Sequence, residues 1–131
     1  MLECLILGDS IAVGIAQHRP ECVAYAKVGI NSRNWVNQNI TKELSAGTVI
    51  ISLGSNDHKN VNTLKELFTL REVVKAKRVY WILPAINPEV QEMVDIVSDK
   101  YEDKLIKIPE VSKDKVHPTT KAYKQLSELT K

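Results

Sequence analysis

Ser10, His117 and Asp114 are the residue types that acyl transfer requires. A serine hydroxyl is a weak nucleophile until a base within hydrogen-bond reach takes its proton. Imidazole changes charge near neutral pH, which makes His117 the natural base. Asp114, three residues earlier in the chain, can hold the imidazole in one tautomer and stabilise the imidazolium that forms. The tetrahedral intermediate also needs donors for its negative oxygen. The candidates are the backbone N–H groups of Ser10 and Gly29 and the side-chain amide of Asn56. Gly29 suits the task because a residue without Cβ lets the backbone approach a substrate closely.

These residues lie in four short polar segments: Gly8-Asp9-Ser10, Gly29-Ile30-Asn31-Ser32, Gly54-Ser55-Asn56-Asp57 and Asp114-Lys115-Val116-His117. Each comes after an apolar run of strand length. Strands are expected over 2–7, 22–28, 48–53, 78–83 and 105–108, the run TVIISL being the clearest because it is rich in β-branched residues. Helices are expected over 10–18, 31–40, 60–75, 88–101 and 118–130. Ser10 is a plausible cap for the first of these, and Asn31 or Ser32 for the second. Pro88 opens the fourth, as proline does in a first helical turn. Apolar strands alternating with helices predict an α/β fold with a parallel sheet covered on both faces. Five strands suggest a flavodoxin-like sheet of order 2-1-3-4-5. The carboxyl ends of parallel strands share one edge, so the four polar segments can converge there.

Composition narrows the alternatives. The chain has 131 residues, enough for one domain with a substantial core. Eighteen Lys and Arg against 16 Asp and Glu leave a formal charge of +2, too small an excess for a dedicated nucleic-acid surface. No run approaches the length of a transmembrane helix, and no signal-peptide pattern opens the chain. Cys4 and Cys22 show no metal-ligand spacing and read as reduced thiols, which favours an intracellular setting. With no signal-peptide pattern a cytoplasmic location is expected, while a protein encoded by a virus or exported by another route stays open. A monomer or weak dimer is expected.

The four segments resemble the blocks of the SGNH, or GDSL, hydrolase family: GDSIAVG at 8–14, VGINS at 28–32, LGSND at 53–57 and DKVHP at 114–118. They stand in the family's order and together span nearly the whole chain. The resemblance implies a three-layer αβα fold with Ser10 as nucleophile, His117 as base and Asp114 as its orienting acid. It implies that Ser10, Gly29 and Asn56 form the oxyanion hole, that esters or thioesters are hydrolysed, and that no metal or organic cofactor takes part. A chain this short, with 5% aromatic residues, predicts an open site for short acyl groups such as acetyl, with a small molecule or a carbohydrate as the esterified alcohol.

Each assignment has a plainer counterpart. Ser10 can be only a helix cap, His117 a polar residue before the last helix, Asp114 a solvated charge between lysines and Asn56 a turn residue. Asp9 reads as a loop-bracing residue, Asp57 as a cap of the helix after the third strand or a partner of loop amides, His18 and His58 as solvated, and Trp35 and Trp81 as packing residues, with Asn87 and Pro88 on the rim. A catalytically silent binding module would not need the third triad member. Nucleotide binding lacks both GxGxxG and a P-loop lysine. Transfer of the acyl group to an acceptor other than water stays open.

Overall fold

The computed structural model describes residues 2–131. Ten elements alternate along the chain: β1 Leu2–Gly8, α1 Ser10–Ala16, β2 Val23–Ala26, α2 Ser32–Asn39, β3 Ser45–Ser52, α3 Thr63–Val73, β4 Lys75–Leu83, α4 Pro88–Lys100, β5 Lys104–Lys107 and α5 Thr120–Leu129. The strands form one parallel sheet of order β2-β1-β3-β4-β5, the expected topology.

Side chains alternate across each strand and therefore divide between two faces. Leu5, Leu7, Val49, Ile51 and Trp81 pack with Trp35, Leu67, Leu70 and Val94 from α2, α3 and α4. Ile6, Ile50 and Ile82 pack with Ile11, Ile15 and Leu126 from α1 and α5. Both faces of the central strands are thus buried, which is why their sequences read as unbroken apolar runs.

Several boundaries differ from the sequence expectation. β3 begins at Ser45 and β4 at Lys75, before their apolar runs start, because backbone pairing continues through Ser45↔Lys75 and Ala46↔Ala76. Backbone groups must find partners whatever their side chains are. α3 consequently stops at Val73, and it starts at Thr63, where Asn62 Oδ1 accepts from Lys65 N at 3.2 Å. α5 starts at Thr120, because Pro118 is drawn into an antiparallel bridge with Val111.

The reading of both cysteines as free thiols is corrected. Cys4 and Cys22 form a disulfide, with Cα atoms 4.8 Å apart. Parallel pairing aligns Leu5 with Val23, so the preceding residues come side by side. The pair no longer argues for an intracellular setting, since disulfides persist in oxidising surroundings. No helix among the described residues is long and apolar enough to cross a membrane.

Candidate active site

The crossover from β1 to α1 is shaped by contact with β3. Gly8 has φ +145°, and a Cβ there would lie 1.8 Å from the Ser52 carbonyl oxygen. Only glycine fits. Asp9 N then donates to that same oxygen at 3.0 Å. Asp9, not Ser10, caps α1: its Oδ1 accepts from Ile11 N at 3.0 Å and from Ser52 Oγ at 3.2 Å. Ser10 is the first residue of the helix itself, freeing its hydroxyl for the cleft. The first N–H groups of a helix have no intrahelical partner, so the Ser10 amide is also unclaimed by the helix.

Asp9 is fully buried, and its Oδ2 has no partner. Burial pushes its carboxyl up to about 6, against the smaller opposing effect of the Ile11 and Ser52 hydrogen bonds.

His117 reaches Ser10 from the far end of the chain. Ser10 Oγ lies 2.7 Å from His117 Nε2, and His117 Nδ1 lies 2.5 Å from Asp114 Oδ2. A carboxylate accepts at Nδ1, so Nδ1 carries the proton and Nε2 is left to accept from the serine hydroxyl. Asp114 Oδ1 meanwhile accepts from Ser112 Oγ, Val116 N and His117 N, each at 2.9 Å. The His117 and Val116 amides, followed by the His117 ring, hold this half-exposed carboxyl well below the usual carboxylate range. Asp114 thus knots its own turn while holding the ring. The turn is fastened to its neighbour by Ser112 N donating to His117 O at 2.8 Å.

Two bonds join the loops on the other side of Ser10. Asn56 Nδ2 donates to Ile30 O at 3.1 Å, leaving its second amide hydrogen unspent. Asp57 Oδ1 accepts from Ser32 N at 2.8 Å, and its Oδ2 accepts from Thr63 Oγ1 at 2.7 Å. Asp57 is therefore a brace between two loops, one of its two expected roles, rather than a cap of its own helix. Gly29 has φ +81° and nothing within 4 Å of the place a Cβ would take.

The remaining candidates separate cleanly. Trp35 and Trp81 are fully buried; their indoles donate to Tyr25 O at 2.8 Å and Asp103 Oδ2 at 2.9 Å. His18 is exposed, and exposed His58 accepts from Asn60 N within its own loop. Asn87 takes φ 68° and caps α4 ahead of Pro88. Two further residues carry no signal in the sequence, Tyr123 on the Ser10 side of the sheet and Arg19 at its opposite edge. Tyr123 packs its ring where a side chain at Gly14 would lie, and its hydroxyl is pushed up by burial and then by the Asp9 and Asp114 charges. Arg19, almost fully buried, donates to Ser127 O and Thr130 Oγ1 and so ties the end of α5 to the end of α1. Among the described residues the one grouping of metal-type ligand atoms is Cys4, Glu21 and Cys22, where the sulfurs are already spent on each other.

No family model matches the chain, and no curated protein matches it. Solved structures do. A GDSL-like lipase from Bacteroides thetaiotaomicron aligns with a TM-score of 0.68 at 15% identity, over 98% of this chain and 85% of that one. An acylhydrolase assigned in Bacteroides fragilis aligns at 0.66 and 17%, over 98% and 84%. The C-terminal catalytic domain of Streptococcus pneumoniae peptidoglycan O-acetyltransferase A, bearing a methylsulfonyl adduct, aligns at 0.60 and 15%, over 96% and 88%. The chain shares its fold, a five-stranded parallel α/β sheet, with these GDSL-like lipase, acylhydrolase and acetyltransferase structures.

Proposed function

We propose that this protein hydrolyses carboxylic esters through Ser10, His117 and Asp114 and a covalent acyl-enzyme. The observation that carries the reading is the unbroken chain of short contacts from Ser10 Oγ through the His117 ring to Asp114, between residues 107 positions apart. A helix cap or a solvated loop charge has no use for that alignment.

In the proposed reaction Ser10 Oγ attacks the acyl carbon while its proton passes to His117 Nε2. Asp114 stabilises the resulting imidazolium. The negative oxygen is received by the N–H groups of Ser10 and Gly29 and by the free hydrogen of the Asn56 amide. As the intermediate collapses, His117 returns the proton to the departing alcohol oxygen. Water then repeats the sequence on the acyl-enzyme and releases the acid. The open backbone at Gly29 and the spare hydrogen on Asn56 support this placement of the oxyanion.

Short acyl groups such as acetyl are the expected substrates, because a chain of 131 residues with 5% aromatics has little to build a deep acyl pocket from. Neither tryptophan offers the cleft an aromatic face, so a carbohydrate alcohol draws no support from the site. Transfer to an acceptor alcohol is the second reading, supported by the likeness of the fold to a peptidoglycan O-acetyltransferase catalytic domain.

The test is the intact mass of the protein after exposure to a fluorophosphonate, wild type beside Ser10→Ala. One adduct on the wild type and none on the variant is expected. An unlabelled, well-folded wild type would remove the hydrolase reading in favour of a binding module.

A further inference from the structure

A groove of about 740 Å³ opens between the loop that follows β4 and the segment that follows β5, with Lys115, from the turn that carries Asp114 and His117, in its lining. Its volume falls in the range of small-molecule sites. Pro84 and Ile86 line one wall, Ile108 and Val111 the other, and Lys107 and Lys115 stand among them. Ile86 is unusually exposed for its type, at 39%. The one acidic residue there, Glu110, has Oε1 occupied by Thr119 Oγ1 at 2.8 Å.

The groove walls are fixed. Gln91 Nε2 holds Pro84 O at 2.8 Å, and Val111 is bridged to Pro118. Lys115 has φ 62°, a left-handed conformation that is strained for any residue with a Cβ. It is kept there by its own N–H on Ser112 O and by the Asp114 bonds on either side. The fixed backbone roots the Lys115 side chain in the groove lining, one residue from Asp114 and two from His117.

The chemistry decides which part of an ester the groove faces. The oxyanion donors come from the loops after β1, β2 and β3. The leaving oxygen must instead take its proton from His117 Nε2, so the alcohol part projects toward the turn that carries His117. That turn is also a wall of the groove. We propose that the groove binds the alcohol part of the ester, and that it selects an alcohol combining an apolar chain with an anionic group. The apolar walls take the chain, and Lys107 and Lys115 take the charge. This rests on the serine-hydrolase reading above.

The test compares two acetyl esters that differ at one end. One is 10-acetoxydecanoate; the other is its neutral methyl ester. Exposed ion pairs contribute modestly, so two lysines support a preference of about tenfold in kcat/KM for the carboxylate, shrinking in molar salt. In Lys107→Gln/Lys115→Gly the ratio should fall to within about twofold; glycine suits φ 62°, and a ratio within one protein cancels any general loss of activity. Equal rates on both esters in the wild type, or a preference that survives the double variant, would overturn the proposal. Binding supplies a measurement independent of catalysis: titration with decanoate should shift the methyl resonances of Ile86 and Ile108 in the wild type and shift them less in the double variant. Unmoved methyls sink the groove assignment even if Ser10 is phosphonylated. Unlabelled Ser10 with moving methyls sinks the hydrolase reading instead and leaves the anion-selective groove.

Discussion

Asp9 is the buried residue that precedes Ser10 and caps α1, and its charge should be measurable as a pH-dependent loss of stability. Moving a carboxyl from 3.8 to about 6 costs its ionised form roughly 3 kcal/mol at about 1.36 kcal/mol for each pKa unit. The sign follows from proton binding. The folded state holds the Asp9 proton to higher pH than the unfolded chain, so Asp9 costs nothing below about pH 4. Its cost grows as pH rises and is complete above about pH 6 to 7. Asp9→Asn removes the titration while keeping an oxygen for Ile11 N and Ser52 Oγ. Its new N–H₂ lies where Oδ2 has no partner, an unsatisfied donor that costs about 1–3 kcal/mol at every pH. The absolute stability of the variant is therefore uninformative, and the change with pH is the signal. Urea unfolding of both proteins from pH 4 to pH 7.5 should show the wild type losing about 3 kcal/mol relative to Asp9→Asn. Asp114, held well below the usual carboxylate range, stays ionised throughout and cancels. A difference constant to within about 0.5 kcal/mol, well under the shift expected by linkage, would refute the claim that the burial of Asp9 outweighs its hydrogen bonds.

Other expectations follow from the same geometry. Asn56→Ala should lower kcat on the order of a hundredfold with little change in KM, since its amide would serve only the oxyanion; steady-state kinetics on an acetyl ester decides it. Asp114→Asn should keep the turn, because one oxygen still serves the Val116 and His117 amides. Its N–H₂ would face His117 Nδ1, however, and force the proton onto Nε2, where it points at Ser10. Esterase activity should fall by about two orders of magnitude or more while thermal unfolding moves little. Reduction of Cys4–Cys22, which closes a span of 18 residues, should cost about 3 kcal/mol on the chain-entropy account. That is roughly 10 °C in Tm at this size, read by melting with and without dithiothreitol.

Much of the architecture was legible because it rests on local signals. TVIISL is β-branched and apolar and becomes the core of β3; Pro88 opens α4 where proline is tolerated. The four polar segments each follow a strand, and parallel strands bring their carboxyl ends to one edge, so a meeting of Ser10 and His117 could be argued before any coordinates. The strand starts were less legible. Ser45 and Lys75 are not strand formers by composition; they pair because their backbones lie beside others that need partners.

What the sequence determined by itself was the alternation of elements, the order of the sheet suggested by their number, and the residue types able to perform acyl transfer. Those properties depend on neighbours a few positions apart. Tertiary structure decided whatever depends on residues far apart. It joined Cys4 to Cys22 through strand register, gave the α1 cap to Asp9 because Gly8 is pressed against Ser52, and packed Tyr123 against Gly14. It also formed the groove that Lys115 lines from two loops that share no pattern. The physical reason is the same in each case: a contact's energy depends on distance in space, and only the folded sheet sets which distant residues are close.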